Sequence, residues 1–343
     1  MKAIVDTAQA AHDPQNFLVA GTVRPSPEQP ERISRLRAGA EAAGCRFDDA
    51  GDAGLCPIAA IHTPEYLRFL QTIHDRWQAL DGAAPEVIPN IHPRARADGY
   101  PASAVGQAGY HQGDTACPIG PHTWRAAYAS AQSAITAADL ITAGEPAAYA
   151  LCRPPGHHAY ADMASGFCFL NNAAIAAERL RAAGLRPAIL DVDVHHGNGT
   201  QDIFYAKSDV LTVSTHVDPS GFYPFFYGHA AERGNGAGLG YNLNLPLPMG
   251  SGDTALLDAL GHGFAAIADF GADVLIVALG LYTAASDPFR AMQVTADGFT
   301  RIGAALAGPD LPTLFVQEGG YLSDDLGDNL TRVLAGFQSA RSR

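Results

Sequence analysis

The stretch Ala188-Ile-Leu-Asp-Val-Asp-Val-His-His-Gly-Asn-Gly199 is the segment that decides the fold. Its apolar first half predicts a buried strand at 188–194, and its second half is a dense polar cluster. In an extended strand Asp191 and Asp193 would point the same way, because side chains alternate between the two faces. Four ionisable groups within six residues of such a segment are costly unless they are paired or bind a metal. Carboxylate and imidazole are typical zinc ligands, so the stretch predicts a divalent metal site rather than a solvated strand end.

The composition is typical of a soluble protein with a large core. Of the 343 residues, 47% are hydrophobic and 17% are charged, which allows one large α/β domain or two small ones. The formal net charge of -13 argues against nucleic acid or an anionic membrane as a partner. Five cysteines without a CxxC pair argue against a disulfide framework. Since we find neither a signal-peptide pattern nor a membrane-spanning apolar run, we expect a cytoplasmic protein.

Predicted strands alternate with predicted helices, most regularly in the second half of the chain. Besides 188–194, apolar strands are predicted at 3–5, 147–152, 210–214, 273–279 and 313–316. Helices are predicted at 31–43, 64–80, 124–143, 172–183, 254–270 and 298–307. This alternation predicts an α/β fold with a largely parallel central sheet. Because ligands bind at the carboxyl ends of parallel strands, the polar turns after five of these strands should converge on one site.

Residues 82–121 interrupt the alternation. The segment is rich in proline and glycine and is predicted to be irregular. A loop of this length inside a compact domain is usually functional or part of an interface. We see no repeat or linker, so we expect a single domain over residues 1–343 with an insertion at about 82–121.

Two further strand-end turns carry candidate chemistry. Arg153-Pro-Pro-Gly-His-His158 places His157 and His158 side by side, and paired imidazoles suit proton transfer near neutral pH. Glu318-Gly-Gly-Tyr321 places Tyr321 where a phenol could donate a hydrogen bond to an oxyanion. Alone, the histidines could be surface residues and the tyrosine a packing residue. Together with the polar cluster at 191–199 they indicate a catalytic site.

Two other sequence features could suggest a different kind of site, a thiol nucleophile or a dinucleotide-binding loop. Cys152 and Cys168 lie close to the histidines in sequence, but we interpret them as buried, inert thiols. The glycine-rich run at 234–240 lacks the preceding strand and following helix of a dinucleotide-binding loop, so we reject that interpretation.

The quoted motifs, together with Gly166-Phe-Cys-Phe-Leu-Asn-Asn172, resemble those of the zinc-dependent histone deacetylases. The resemblance is closest to the bacterial acetylpolyamine amidohydrolase branch, and it extends over nearly the whole chain in matching order and spacing. It implies the arginase-deacetylase α/β fold and a zinc-dependent amidohydrolase that acts on a small acylated amine. The 82–121 segment resembles the insertion by which that branch dimerises and narrows its substrate tunnel, which implies a homodimer.

The resemblance also implies roles for individual residues. Asp193 and His195 would be zinc ligands. His158 would act as general base and then general acid, while His157 assists electrostatically. Tyr321 would polarise the scissile carbonyl and stabilise the oxyanion. These roles agree with what the residues themselves indicate, namely attack of metal-activated water on an amide with a histidine as proton carrier.

Further roles implied by the resemblance concern supporting residues. Asp191 would orient His157, and Gly166 and Phe167 would line the tunnel. A structural potassium ion would be surrounded by Asp191, Asp193, His195, Ser214 and Thr215.

The chain departs from the family at the third zinc ligand. The family has an aspartate in a Leu-Gly-x-Asp-Thr turn, whereas Leu279-Gly-Leu-Tyr-Thr283 places Tyr282 there. A neutral phenol, with a reference pKa of about 10, is a poor ligand unless a metal lowers that pKa. Either Tyr282 binds as a phenolate, or zinc is weak or substoichiometric, or the site is empty. A metal-poor family member that binds a ligand or partner in the tunnel is therefore the alternative to an active enzyme.

A second departure concerns the substrate. The polyamine branch has acidic residues at the tunnel mouth, and the aligned positions here are Phe17 and Val105. This difference favours a more apolar or neutral amide over an acetylated polyamine.

Overall fold

The structure is a computed structural model that describes residues 1–93, 99–281 and 291–342. Tyr282, at the position of the predicted third metal ligand, lies outside the described residues. Within them, no helix is long and apolar enough to cross a membrane.

An eight-stranded sheet, parallel throughout, forms the centre of the molecule. The strands are β1 (Lys2–Val5), β2 (Asn16–Val19), β3 (Thr22–Pro25), β4 (Arg46–Asp49), β5 (Ala147–Ala150), β6 (Pro187–Asp191), β7 (Leu211–Val217), β8 (Asn242–Leu247), β9 (Val274–Leu279) and β10 (Thr313–Gln317). The sheet order is β4-β1-β5-β10-β9-β6-β7-β8, while β2 and β3 form a separate antiparallel hairpin. The predicted parallel α/β architecture is therefore confirmed.

Helices cover both faces of the sheet. They are α1 (Glu31–Ala42), α2 (Cys56–Ala59), α3 (Pro64–Gln78), α4 (Ala104–His111), α5 (Thr123–Thr142), α6 (Asn172–Ala182), α7 (Asn198–Phe204), α8 (Asp253–Phe270), α9 (Ala296–Leu306) and α10 (Leu326–Arg341). In β9, Ile276 joins the apolar cluster that contains α3, α5 and α6, while its neighbour Val277 joins the cluster that contains α1, α8, α9 and α10. Because both faces of the central strand β9 are buried, Val274–Leu279 is apolar without interruption.

Several elements differ from the sequence prediction. The 82–121 segment is not irregular throughout, because Ser103 caps the helix α4 within it. The edge strand β8 was not predicted, since it contains Pro246, which an edge strand tolerates. The central strand β6 ends at Asp191, three residues earlier than predicted. Asp191 accepts a hydrogen bond from the backbone of Asp193 (3.0 Å), so the chain turns there and the two carboxylates do not share a strand face.

A buried ionic network links the proline-rich loop at 23–30 to two strand-end turns. Glu28 is fully buried and contacts the guanidinium groups of Arg32 and Arg153. Burial alone would raise the pKa of Glu28, but the charges of Arg153 and Arg32 outweigh it and lower that pKa. The carboxylate therefore stays ionised between two arginines.

The two arginines tie this carboxylate to the backbone of the turns. Arg32 donates hydrogen bonds to the carbonyl oxygens of Gly320 (2.6 Å) and Glu318 (2.8 Å). Arg153 donates to the carbonyl oxygens at residues 9 and 12. The network thus connects the turn that begins at Arg153 with the turn at 318–321.

We expect Glu28→Gln to lower the free energy of unfolding by about 3–5 kcal/mol, because it leaves two buried guanidinium groups with a neutral partner. Urea denaturation followed by circular dichroism measures this change. The control is Glu31→Gln, which removes the exposed ion pair with Arg35 and should cost about 0.5 kcal/mol. Equal, small effects for the two variants would contradict a stabilising role for the network.

Candidate active site

A cavity of about 780 Å³ opens at the carboxyl ends of the central strands. Of the predicted site residues, the cavity is lined by His157, His158, Gly166, Phe167, His195, Tyr321 and Phe17. Four more predicted residues are buried: Asp191 at the end of β6, Asp193 just after it, and Ser214 and Thr215 within β7. The structure therefore brings almost all predicted residues to one place.

Val105 is the exception. It lies on α4, is half-buried and packs against the hydrophobic core. Among the described residues it does not line the cavity; its helix contributes Gly109 and Tyr110 instead. Phe17 does reach the cavity, where its ring lies 5.6 Å from that of Phe167. The place of Val105 in the tunnel is therefore not seen within the single chain and stays a prediction.

His157 is held by the carboxylate of Asp191. Its Nδ1 lies 2.8 Å from Asp191 Oδ2, and both side chains are buried. Burial alone would lower the pKa of His157, but the charge and hydrogen bond of Asp191 outweigh it and raise that pKa to about 10. His157 is therefore a buried imidazolium at neutral pH.

The pKa of His158 is shifted in the opposite direction. Burial and, next, the charge of His157 lower its pKa well below the ordinary value. Its Nδ1 lies 2.6 Å from Asn198 Oδ1, while the amide nitrogen of Asn198 donates to the hydroxyl of Tyr160 (2.8 Å). Because that bond orients the amide oxygen toward His158, Nδ1 carries the proton and Nε2 is the basic nitrogen. The two rings are 4.0 Å apart, so the site pairs a charged histidine with a neutral one.

The carboxyl group of Glu318 fixes the backbone of the turn at 153–158. Its Oε2 accepts hydrogen bonds from the backbone N–H groups of Gly156 (2.7 Å) and His157 (3.0 Å). Burial raises the pKa of Glu318 to about 7 against the opposing charge of His157. A Cβ atom at Gly156 would lie 2.4 Å from a backbone nitrogen, so this turn requires glycine. The carboxyl group thus joins the two turns a second time.

Asp193 and His195 fit a divalent metal ion. Asp193 Oδ1 and His195 Nδ1 are 3.2 Å apart, a separation that suits two ligands of one zinc ion at about 2.0–2.2 Å each. Asp193 Oδ2 accepts a hydrogen bond from the backbone of Gly319 (3.1 Å), which fixes the carboxylate. A Cβ atom at Gly280 would lie 1.9 Å from that same oxygen, so the chain before Tyr282 passes directly beside the carboxylate.

Aromatic rings form the walls around these groups. Phe222 stacks on His195 at 4.8 Å, and Tyr223 stands edge-on to His158 at 5.0 Å. Phe167 lies edge-on to Tyr321 at 5.6 Å. Burial raises the pKa of Tyr321 well above its ordinary value, so its phenol keeps its proton and can donate it in a hydrogen bond.

The two cysteines near the site are buried, as predicted. Cys152 and Cys168 are fully buried, and burial raises the pKa of both thiols. A thiolate nucleophile is therefore not available at neutral pH.

Comparison with known proteins identifies the family. The model of the histone deacetylase domain matches residues 26–337. The acetylpolyamine amidohydrolase of Burkholderia pseudomallei strain 1710b is 47% identical over 334 residues, which are 97% of each chain. The acetylpolyamine amidohydrolase of Mycoplana ramosa is 40% identical over 340 residues, 98% of this chain and 99% of that one. The chain belongs to the histone deacetylase family.

Solved structures agree with this assignment. A crystal structure of acetylpolyamine aminohydrolase from Burkholderia pseudomallei, 46% identical, superposes with a TM-score of 0.96 and covers 99% of both chains. The HD domain of HDA15, 29% identical, gives a TM-score of 0.78 over 98% of this chain and 90% of that one. The fold is the arginase-deacetylase fold, and the chain is a metal-dependent, deacetylase-type amide hydrolase.

Some contributors to the site were missed from the sequence. Asn198 and Glu318 lie inside the quoted motifs, yet their partners, His158 and the backbone of Gly156, come from a different turn. Their polarity within apolar, glycine-rich surroundings was the available signal. Tyr223 was also missed, because a tyrosine in an aromatic run looks like a packing residue.

Proposed function

We propose that the chain hydrolyses the acetamide of a small, linear acetylated amine, and that acetylated polyamines are its substrate class. The similarity to two acetylpolyamine amidohydrolases over nearly the full chain supports this proposal. Of the two differences that favoured a neutral amide, only Phe17 lies on the cavity wall of the single chain, while Val105 is half-buried against the core. The formal net charge of -13 and the exposed rings of Phe225 and Phe226 beside the cavity would both attract a distal ammonium.

The single observation that carries the mechanism is the adjacent pair of histidines on the cavity wall, with His157 held by the carboxylate of Asp191 and His158 by the amide of Asn198. His158 Nε2 takes a proton from the attacking water and then returns it to the leaving nitrogen, which departs as the free amine while acetate forms. Tyr321 donates a hydrogen bond to the carbonyl oxygen as negative charge develops there. His157 stays protonated and stabilises the same charge.

We propose that Asp193, His195 and Tyr282 hold the metal ion and that this ion is zinc. When bound, zinc polarises an amide carbonyl and lowers the pKa of a coordinated water. A phenol at the third position neutralises the ion less than a carboxylate would. Zinc binding should therefore be weaker than in a site with two carboxylate ligands.

We further propose that the residues around the end of β6 hold a potassium ion. Asp191 is paired with Ser214 in the sheet register, and Thr215 donates a hydrogen bond to the carbonyl oxygen of Asp191 (3.3 Å). Together with the backbone carbonyl groups near Asp193 and His195, the oxygen atoms of Asp191, Ser214 and Thr215 suit a hard cation.

We also propose that the enzyme lies in the cytoplasm, where potassium is abundant.

His158→Ala and Tyr321→Phe should each lower kcat roughly a hundredfold or more, because the first removes the proton carrier and the second the hydrogen bond to the oxyanion. Acetate release from a mono-acetylated diamine measures the effect, and circular dichroism checks the fold. His262→Ala, on the exposed face of α8, is the control and should keep the parental kcat. If either site variant kept the parental kcat, the proposed mechanism would be contradicted.

We propose that the 82–121 insertion contributes to a homodimer. Its described part exposes two large side chains, Ile91 (61% exposed) and Tyr100 (45%). Exposed apolar groups near a cavity mouth are typical of interfaces.

Light scattering after size-exclusion chromatography should give about twice the chain mass of 35.9 kDa. Ile91→Asp should shift the mass toward that of one chain, because it would bury a charge in the contact. The matched control is Leu239→Asp, at an equally exposed leucine far along the chain (66%), which should stay dimeric. A dimer that survives Ile91→Asp would place the contact elsewhere.

A further inference from the structure

Asp114 is a carboxylate on the cavity wall whose hydrogen-bonding capacity is already used within the protein. Its Oδ2 accepts hydrogen bonds from the hydroxyl of Ser165 (2.9 Å), the backbone N–H of Gly166 (3.0 Å) and the hydroxyl of Tyr223 (2.7 Å). Its Oδ1 accepts one from the backbone of Ala116 (2.8 Å) and a long one from the thiol of Cys117 (3.6 Å). The hydroxyls of Ser165 and Tyr223 also lie 2.7 Å from each other, so the carboxylate is enclosed by donors from the protein itself rather than turned toward an ammonium of a substrate.

The donors to Oδ2 belong to two different walls of the cavity. Gly166 and Phe167 form one wall, between β5 and α6, and both have left-handed backbone angles, with φ of 52° and 68°. Phe167 in that conformation is strained, so neighbouring contacts must hold it there. Tyr223 belongs to the other wall, between β7 and β8.

Both walls meet His158. A Cβ atom at Gly166 would lie 2.4 Å from the ring of His158, so this wall touches the proton carrier directly. On the other side the ring of Tyr223 is 5.0 Å from that of His158 and 5.9 Å from that of His195. A shift of either wall would change both the width of the cavity and the packing of His158.

We propose that Asp114 is a positioning residue that clamps these two walls together and thereby sets the size of acyl group that the site accepts. The inference rests on the proposed function, since it names what selects the acyl group of that same reaction. Tyr223 contributes its hydroxyl to the clamp and its ring to the wall. The charge on Asp114 strengthens all three hydrogen bonds at Oδ2, which a neutral amide could not do equally well.

Asp114→Asn and Tyr223→Phe test the clamp through acyl selectivity. We expect the ratio of kcat/KM for acetyl over butyryl amides of one diamine to fall roughly tenfold in each variant, because a looser wall admits the longer chain. Tyr128→Phe is the matched control, since it removes a tyrosine–aspartate hydrogen bond to Asp52 on the surface. It should leave the ratio unchanged.

Hydrogen exchange of the peptide that contains Gly166 and Phe167 gives a readout independent of activity. Exchange should accelerate roughly tenfold in Asp114→Asn and stay parental in Tyr128→Phe. Faster exchange with an unchanged acyl ratio would overturn the role in selectivity, and unchanged exchange would overturn the clamp itself. A parent protein that hydrolyses none of the amides would instead overturn the proposed function. Ser165→Ala, which removes another donor, should reproduce the effect if Asp114→Asn does not fold.

Discussion

The buried carboxylate of Glu28 connects the parts of this molecule that carry out the chemistry. It contacts Arg32 and Arg153. Arg32 donates hydrogen bonds to the backbone of the turn at 318–321, and Arg153 is the first residue of the turn at 153–158. One of these turns carries Tyr321 and the other carries the histidine pair. Since a buried charge without a partner is costly, the three groups hold one another in place, and the two turns cannot move apart independently.

This fixed framework allows two adjacent histidines to differ in charge. His157 faces the carboxylate of Asp191, whereas His158 faces the neutral amide of Asn198. The ionised neighbour itself lowers the pKa of His158, so each ring reinforces the state of the other. A site that needs both a fixed positive charge and a free base obtains them from two chemically identical side chains, through the choice of their partners.

The sequence was sufficient to predict the parallel sheet and the convergence of its polar strand ends, because both follow from apolar runs that end in charged residues. It could not reveal contacts between distant turns. Glu28 lies in a proline-rich loop with no local pattern, and its partner Arg153 is 125 residues away. Nor could the sequence place Val105, an aligned position that is half-buried against the core and does not line the cavity of the single chain. The edge strand β8 was not predicted because its proline and asparagines are typical of turns.

The central claim is that amide hydrolysis here depends on a metal ion held at Asp193 and His195. The most direct measurement is acetate release and zinc content, determined together before chelation, after chelation and after zinc is returned, for the parent and for Tyr282→Asp. We predict that chelation abolishes acetate release and that zinc restores it. We also predict that Tyr282→Asp retains more zinc per chain and hydrolyses faster, because it restores a charged ligand. Acetate release that survives complete removal of metal would contradict the claim.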